Sequence, residues 1–150
     1  MQLTTFTDLA FRLLIYLALE PQRFATIAEI ADYFGVSRNH MGKVAHRLGQ
    51  GGFVTTIRGK GGGLKLARNS HEIRLGEIVR WMEPGLSLVE CQLQGTGTKC
   101  RAAPSCSLNT LLEKALASFL ATLDEHTLAD AIPSDLETPT DLKVDPGDNR

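Results

Sequence analysis

The chain has 150 residues, enough for one domain or for a small domain with an added dimerisation element. Apolar residues make up 43% and charged residues 22%, ordinary proportions for a soluble globular protein, and the formal net charge is −1. The longest apolar run, residues 13–19, is seven residues long, against the roughly 20 needed to cross a bilayer, and residues 1–5 show no leader segment, so membrane, secreted and collagen-like classes are excluded and a cytoplasmic location is expected.

The net charge conceals a division. Residues 1–80 carry eleven Lys and Arg against six Asp and Glu, whereas residues 81–150 carry five against eleven. No acid occurs between Asp32 and Glu72, a gap that holds Arg38, Lys43, Arg47, Arg58, Lys60, Lys65 and Arg68 with His40, His46 and His71. A basic block in an acidic chain is the electrostatic footprint of a polyanion site. A solvated basic face without a ligand is the plainer explanation, and charge alone does not separate the two.

In chain order, helical spacing of Phe6, Leu9, Ala10, Leu13, Leu14, Leu17 and Ala18 predicts a first helix over residues 4–20, stopped by Pro21. Thr26 caps a second, residues 27–34, with Glu29 placed as in a capping box. Gly35-Val36 makes a tight turn, and Ser37 caps a third helix running to about Gln50. Met41, Val44, Ala45 and Leu48 form its buried stripe, and Gly51-Gly52 ends it. Strands at 53–58 and 64–67 flank the tip Gly59-Lys60-Gly61-Gly62-Gly63, a β-hairpin. Two helices joined by a short turn, followed by such a hairpin, make a winged helix-turn-helix. A fourth helix, about 75–83, is closed by Pro84-Gly85.

Residues 86–106 have little periodicity and hold all three cysteines. Leu108, Leu111, Leu112, Ala115, Leu116, Phe119, Leu120 and Leu123 then trace a broad apolar face on a helix of about twenty residues, with a short continuation over 127–132. From Pro133 the chain is rich in Pro, Asp and Thr and reads as a disordered acidic tail. The expected fold is mainly α with a small β-hairpin wing: a winged helix-turn-helix domain (1–85), a cysteine loop (86–106), a long C-terminal dimerisation helix (107–132) and the tail (133–150). So apolar a helix needs a partner: either it folds back on the winged domain or it pairs with its copy in a second chain, and the second arrangement, which also suits a reader of palindromic DNA, is the one expected.

The stripe on the third helix leaves Arg38, Asn39, Lys43, His46, Arg47 and Gln50 facing solvent. Ser37, Arg38, Asn39 and His40 sit at its N-terminal turn, the end that usually points into a major groove. Arg pairs bidentately with guanine and Asn with adenine, while Lys43 and Arg47, one turn apart, suit phosphates. The wing adds Arg58 and Lys60, with Gly61 and Gly62 allowing close backbone approach to a sugar–phosphate wall. Its glycines lie between strands and open no helix, so neither a dinucleotide fingerprint nor a Walker A loop fits.

Cys91, Cys100 and Cys106 are separated by eight and five residues. An odd count in a chain expected to be cytosolic argues against disulfides, and structural zinc wants four ligands, usually in close pairs. Incidental thiols are the bland alternative. Thiolates also hold iron–sulfur clusters, four ligands being the norm, so three would leave one iron open or bound by another group.

The segments Gln2-Leu3-Thr4-Thr5-Phe6-Thr7-Asp8, Gly35-Val36-Ser37-Arg38-Asn39-His40-Met41, Arg58-Gly59-Lys60-Gly61-Gly62-Gly63, Leu86-Ser87-Leu88-Val89-Glu90-Cys91 and Thr127-Leu128-Ala129-Asp130 resemble the NsrR-type nitric-oxide-sensing repressors. These belong to the winged-helix family that also includes IscR and RirA. The resemblance covers about residues 1–131. It implies that Cys91, Cys100 and Cys106 hold an iron–sulfur cluster, 4Fe–4S in preference to 2Fe–2S, and that Asp8 of the partner subunit is the fourth ligand. Asp8 also has a local explanation: an acid in a helix's first turn is favoured by the dipole, and Arg12 is its i+4 partner. The first cysteine gap is longer than usual for NsrR or IscR and nearer to RirA. IscR's histidine ligand is replaced here by Asn109, while RirA-like proteins tend to have Asn where this chain has Asp8.

The resulting expectation is a homodimeric repressor, not an enzyme, that binds a palindromic double-stranded operator under control of a cluster that reacts with nitric oxide. The alternatives are a RirA-like iron or redox regulator of the same fold and a cofactor-free winged-helix DNA-binding protein. An iron–sulfur enzyme is disfavoured because no residues remain for a substrate domain.

Overall fold

The computed structural model describes residues 2–92, 100 and 106–134. Helix α1 (Thr5–Leu19) starts where the Thr4 side chain accepts from the Thr7 amide, satisfying one of the orphan donors of a helix start. Leu13 and Leu14 are wholly buried, and Leu9 and Leu17 nearly so. Helix α2 (Ile27–Tyr33) is capped by Thr26, which accepts from the Glu29 amide. The Glu29 carboxylate itself faces α1, where it accepts from the Tyr16 hydroxyl and from Arg23.

Gly35 then turns the chain at φ 62°, a left-handed conformation that costs glycine little. Helix α3 (Arg38–Gln50) follows, its N-cap Ser37 accepting from the His40 amide. Met41, Val44 and Leu48 are fully buried and Ala45 nearly so, which is the predicted stripe. It packs on α1 and α2.

Strands β1 (Val54–Ile57) and β2 (Gly63–Leu66) pair antiparallel, from Val54 opposite Leu66 to Ile57 opposite Gly63. β1 is shorter than predicted by one residue at each end, β2 has the predicted length but begins one residue earlier, and Phe53 turns into the core, where it is 1% exposed. The hairpin is also sewn to the segment before α2: Ala25 and Leu64 exchange both backbone hydrogen bonds, at 2.9 and 2.7 Å. A Cβ on Gly63 would lie 2.7 Å from the Ala25 carbonyl oxygen, so this seam requires the glycine.

Helix α4 (Leu75–Met82) closes the domain core through Ile78, Val79 and Met82. Helix α5 (Ser107–Asp124) is the predicted long C-terminal helix, followed by a 3-10 turn at Ala129–Ala131. Among the described residues its far end is fastened to the domain by backbone hydrogen bonds. Leu75 donates to the His126 carbonyl, Leu128 donates to the Ile73 carbonyl, and the Leu128 side chain is fully buried. No residue of α5 is buried, and Leu108 and Leu111 are 60% and 61% exposed. Among the described residues no helix is long and apolar enough to cross a membrane. The architecture is therefore a mainly helical winged helix-turn-helix with a two-stranded wing and a long C-terminal helix. Residues 93–99 and 101–105 of the expected cysteine loop, and 135–150 of the expected tail, lie outside the described residues.

Candidate nucleic-acid interface and cysteine segment

The outward face of α3 carries Arg38, Asn39, His40, Lys43, His46 and Gln50, all exposed, with Ser37 exposed at the cap. Arg38 is not a bare cation. Its Nε and Nη2 donate to Asp32 Oδ1 at 3.2 and 3.1 Å, and Nη2 donates to Asp32 Oδ2 at 2.8 Å. The hydrogen bonds and charge of Asp32 raise the guanidinium pKa further.

Arg47 departs from the expectation of a solvent-facing phosphate contact. It is half-buried, its guanidinium lies 4.4 Å from the centroid of the Trp81 ring, and its Nη2 donates to the Trp81 carbonyl at 2.9 Å. The Trp81 indole in turn donates to the Arg47 carbonyl at 2.8 Å. The cause is packing: α4 approaches the last turn of α3 on the side from which Arg47 projects, and a planar cation stacks on an aromatic face it meets there. Helical spacing placed Arg47 correctly on its helix but carried no information about a partner 34 positions away.

On the wing, Arg58, Lys60 and Gly61 are exposed and Gly62 is half-buried. Gly59 and Gly61 take φ of 102° and 81°. A Cβ on Gly62 would stand 2.2 Å from the Ile57 carbonyl oxygen. The tip therefore folds tightly back on β1, with Arg58 and Lys60 exposed there. Recognition helix and wing together present cations and backbone without a free carboxylate between them, a surface suited to phosphate and base edges.

Cys91 lies in a 3-10 turn at Glu90–Gln92, Cys106 is the N-cap of α5, and Cys100 falls between them. All three thiols are unbridged; Cys91 and Cys100 are exposed and Cys106 is half-buried. By donor chemistry, three unbridged thiols on one segment fit an iron–sulfur cluster with one position left for another ligand. Among the described residues no group of three or more His, Cys, Asp or Glu comes together within the single chain, so Asp8 and the cysteines are not assembled there. Asp8 is exposed one turn into α1, 2.9 Å from Arg12 Nε. It lines an open cleft of about 370 Å³ with Gln2, Leu3, Thr5 and Phe11.

Beside this cleft stands a cluster that the sequence reading missed. Glu83, the C-cap of α4, accepts at Oε1 from the Thr4 amide (2.7 Å), the Thr4 hydroxyl (2.8 Å) and the Thr7 hydroxyl (2.5 Å). Partial burial pushes the Glu83 pKa up, but the bonds from Thr7 and Thr4 outweigh it and hold the carboxyl below its ordinary range. Thr7 is fully buried. The available clue was a hydroxyl at a core position of the first helix, three residues before Ala10 and seven before Leu14, since a buried hydroxyl needs a partner. Across the same helix, Arg80 forks onto both oxygens of Asp124 in α5 at 2.7 and 2.6 Å. Gly76 leaves room for that carboxylate, because a Cβ there would be 2.1 Å from Asp124 Oδ1.

Solved structures share this fold. IscR of T. potens superposes with a TM-score of 0.71 at 23% identity, over 92% of this chain and 93% of that one. CymR of B. subtilis, described as its global cysteine regulator, gives 0.65 at 23% identity over 87% and 95%. The oxidised form of S. aureus CymR gives 0.68 at 23% identity over 92% and 100%. At such identities the likeness establishes the fold. The sequence pattern of the Rrf2 family, described as iron-dependent transcriptional regulators, matches residues 3–134. Spanning the helix-turn-helix, the wing, the cysteine segment and α5 alike, that match shows that the chain belongs to the Rrf2 family of transcriptional regulators.

Proposed function

We propose that this regulator is a homodimeric repressor of the NsrR type, whose hold on a palindromic operator is gated by an iron–sulfur cluster that reacts with nitric oxide. Cys91, Cys100 and Cys106 would hold the cluster, 4Fe–4S rather than 2Fe–2S, with Asp8 of a second copy as fourth ligand. The observation that carries the reading is the presence of three unbridged thiols on one segment and, apart from them, an exposed carboxylate in an open cleft beside α1, where a second copy could reach it. Bound there, the cluster supplies irons that react with nitric oxide. Asp8 would be a harder, more exchangeable ligand than a thiolate, and in the single chain its carboxylate is paired with Arg12 at 2.9 Å.

In this reading residues 1–85 bind DNA, 86–106 carry the cluster and 107–132 form the dimer contact, in a cytoplasmic protein. Ser37, Arg38, Asn39, His40 and Lys43 enter the major groove, and Arg58, Lys60, Gly61 and Gly62 meet the flanking backbone. Arg47 steadies α3 against α4. Because Asp8 belongs to α1, which packs on α3, a change in its ligation bears on the recognition helix.

The test is anaerobic purification with iron and sulfide quantified per chain, and absorption spectra before and after nitric oxide. About four irons per chain, a spectrum that bleaches with nitric oxide, and loss of both cluster and gating in Cys100→Ala are expected. A Cys100→Ala protein that still binds DNA in an effector-sensitive way refutes the mechanism. The exposure of Cys91 and Cys100, with the likeness to oxidised S. aureus CymR, supports one second reading: a redox- or iron-responsive regulator. A cluster indifferent to nitric oxide but lost to a chelator or oxygen would select it, and a chain without iron would leave a cofactor-free DNA-binding protein.

A further inference from the structure

Asp32 is the last acid before the acid-free block, and the fold sets it directly against the first residue of the recognition helix. The turn at Gly35 brings this about: the Gly35 amide donates to the Asp32 carbonyl at 3.2 Å and the Val36 amide to the Ala31 carbonyl at 2.9 Å. The Asp32 carboxylate takes one edge of the Arg38 guanidinium, the Nε–Nη2 edge, through three hydrogen bonds. The other edge, Nη1 with the second Nη2 hydrogen, has no partner among the described residues and is free to donate. Both side chains are well exposed, at 64% and 60%, and an ion pair so placed adds little to folding stability.

A guanidinium edge with two parallel donors is what matches O6 and N7 of guanine. A long Arg side chain on a bare surface must lose rotamer freedom to deliver it, whereas one gripped along its side edge is already oriented. We propose that Asp32 is a specificity-determining residue: by holding the Nε–Nη2 edge of Arg38 it presents the Nη1–Nη2 edge to one guanine in each operator half-site. The proposal rests on α3 being the DNA-reading helix. Asp32 touches no base in this arrangement; it acts through Arg38.

Charge and specificity should then move in opposite directions, which separates this role from a generic surface pair. Replacing Asp32 by Asn removes a negative charge beside the DNA-facing surface. Binding to arbitrary duplex should hold or strengthen, while preference at the guanine position should fall. The experiment is selection of operators from randomised duplex by the full-length protein, then binding of single-base variants by wild type, Arg38→Ala and Asp32→Asn. The expected wild-type preference for guanine over the other bases at that position is about five- to hundredfold. Arg38→Ala should abolish it, and Asp32→Asn should weaken it severalfold with an unchanged thermal melting curve. Wild type selecting a palindrome, with Asp32→Asn keeping or sharpening the guanine preference, overturns this proposal alone. So does a palindrome without an Arg38-dependent guanine. Wild type selecting no sequence at all overturns the DNA-reading assignment of α3 together with it.

Discussion

Glu83 sets the position of the start of α1, and with it that of Asp8 one turn further on. A single carboxylate oxygen receives three donors, one of them the fully buried Thr7 hydroxyl. Replacing Glu83 by Ala should therefore cost about 1–2 kcal/mol, the price of removing an acceptor from a buried hydroxyl, measured as a fall in melting temperature. The pH dependence follows from the same bonds. The native carboxyl titrates below its ordinary 4.5, so its stabilisation is fully present above about that pH. It is lost as pH falls through the lower native value, where the carboxylate takes up a proton. Melting curves through the acid range should fall more steeply for wild type than for Glu83→Gln, which has no proton to gain. Single-residue chemistry of this kind was only half legible in the sequence. Asp8 and Arg12 were readable as a pair because a helix fixes the geometry of i and i+4. Glu83 with Thr7, and Asp32 with Arg38, are joined by tertiary packing and by a turn, for which no spacing rule exists.

Helix α3 is held at its last turn by a mutual clasp with α4. Trp81 donates to the Arg47 carbonyl, and Arg47 both stacks on Trp81 and donates to the Trp81 carbonyl. Gly51 makes this approach possible. Its φ of −84° is open to any residue, but a Cβ would stand 2.6 Å from Trp81 Nε1 and 2.7 Å from the Phe53 ring. Its neighbour Gly52, at φ 72°, is the conformational glycine of the pair. Gly51→Ala should destabilise the fold by about 1–3 kcal/mol through overpacking, and weaken operator binding in a gel-shift titration by tilting α3. The elements themselves were legible: caps at Thr26 and Ser37, the stripe from Met41 to Leu48 and the glycine-rich tip are all local patterns, whereas the cap at Thr4 was read as the first residue of its helix. The backbone seam at Ala25, and the reason for Gly51, belong to contacts between elements.

At the scale of the whole molecule, α5 packs on α4 but leaves part of its apolar face uncovered. It is anchored by Asp124 on Arg80 and by Leu128 in the core, while Leu108 and Leu111 face water. Exposing leucines on successive turns is costly for a lone chain, and a second copy of the same helix is the expected cover. Leu108→Glu combined with Leu111→Glu should yield a monomer by sedimentation while leaving far-UV circular dichroism intact, because neither side chain is buried within the chain. The apolar face was legible from its spacing, and the anchoring of its far end was not. The Glu83 cluster has a consequence of its own at this scale. Thr4 and Glu83 lie 79 positions apart, so their contact closes nearly the whole winged domain into a ring. Closure across so long a loop follows the local helices in time. A bond made after the rate-limiting step leaves the speed of folding untouched and slows only its reversal. The carboxylate is thus expected to act as a late latch: Glu83→Ala should speed unfolding and leave the refolding rate unchanged in stopped-flow kinetics, and a matching loss of refolding rate would place the contact in the folding nucleus instead.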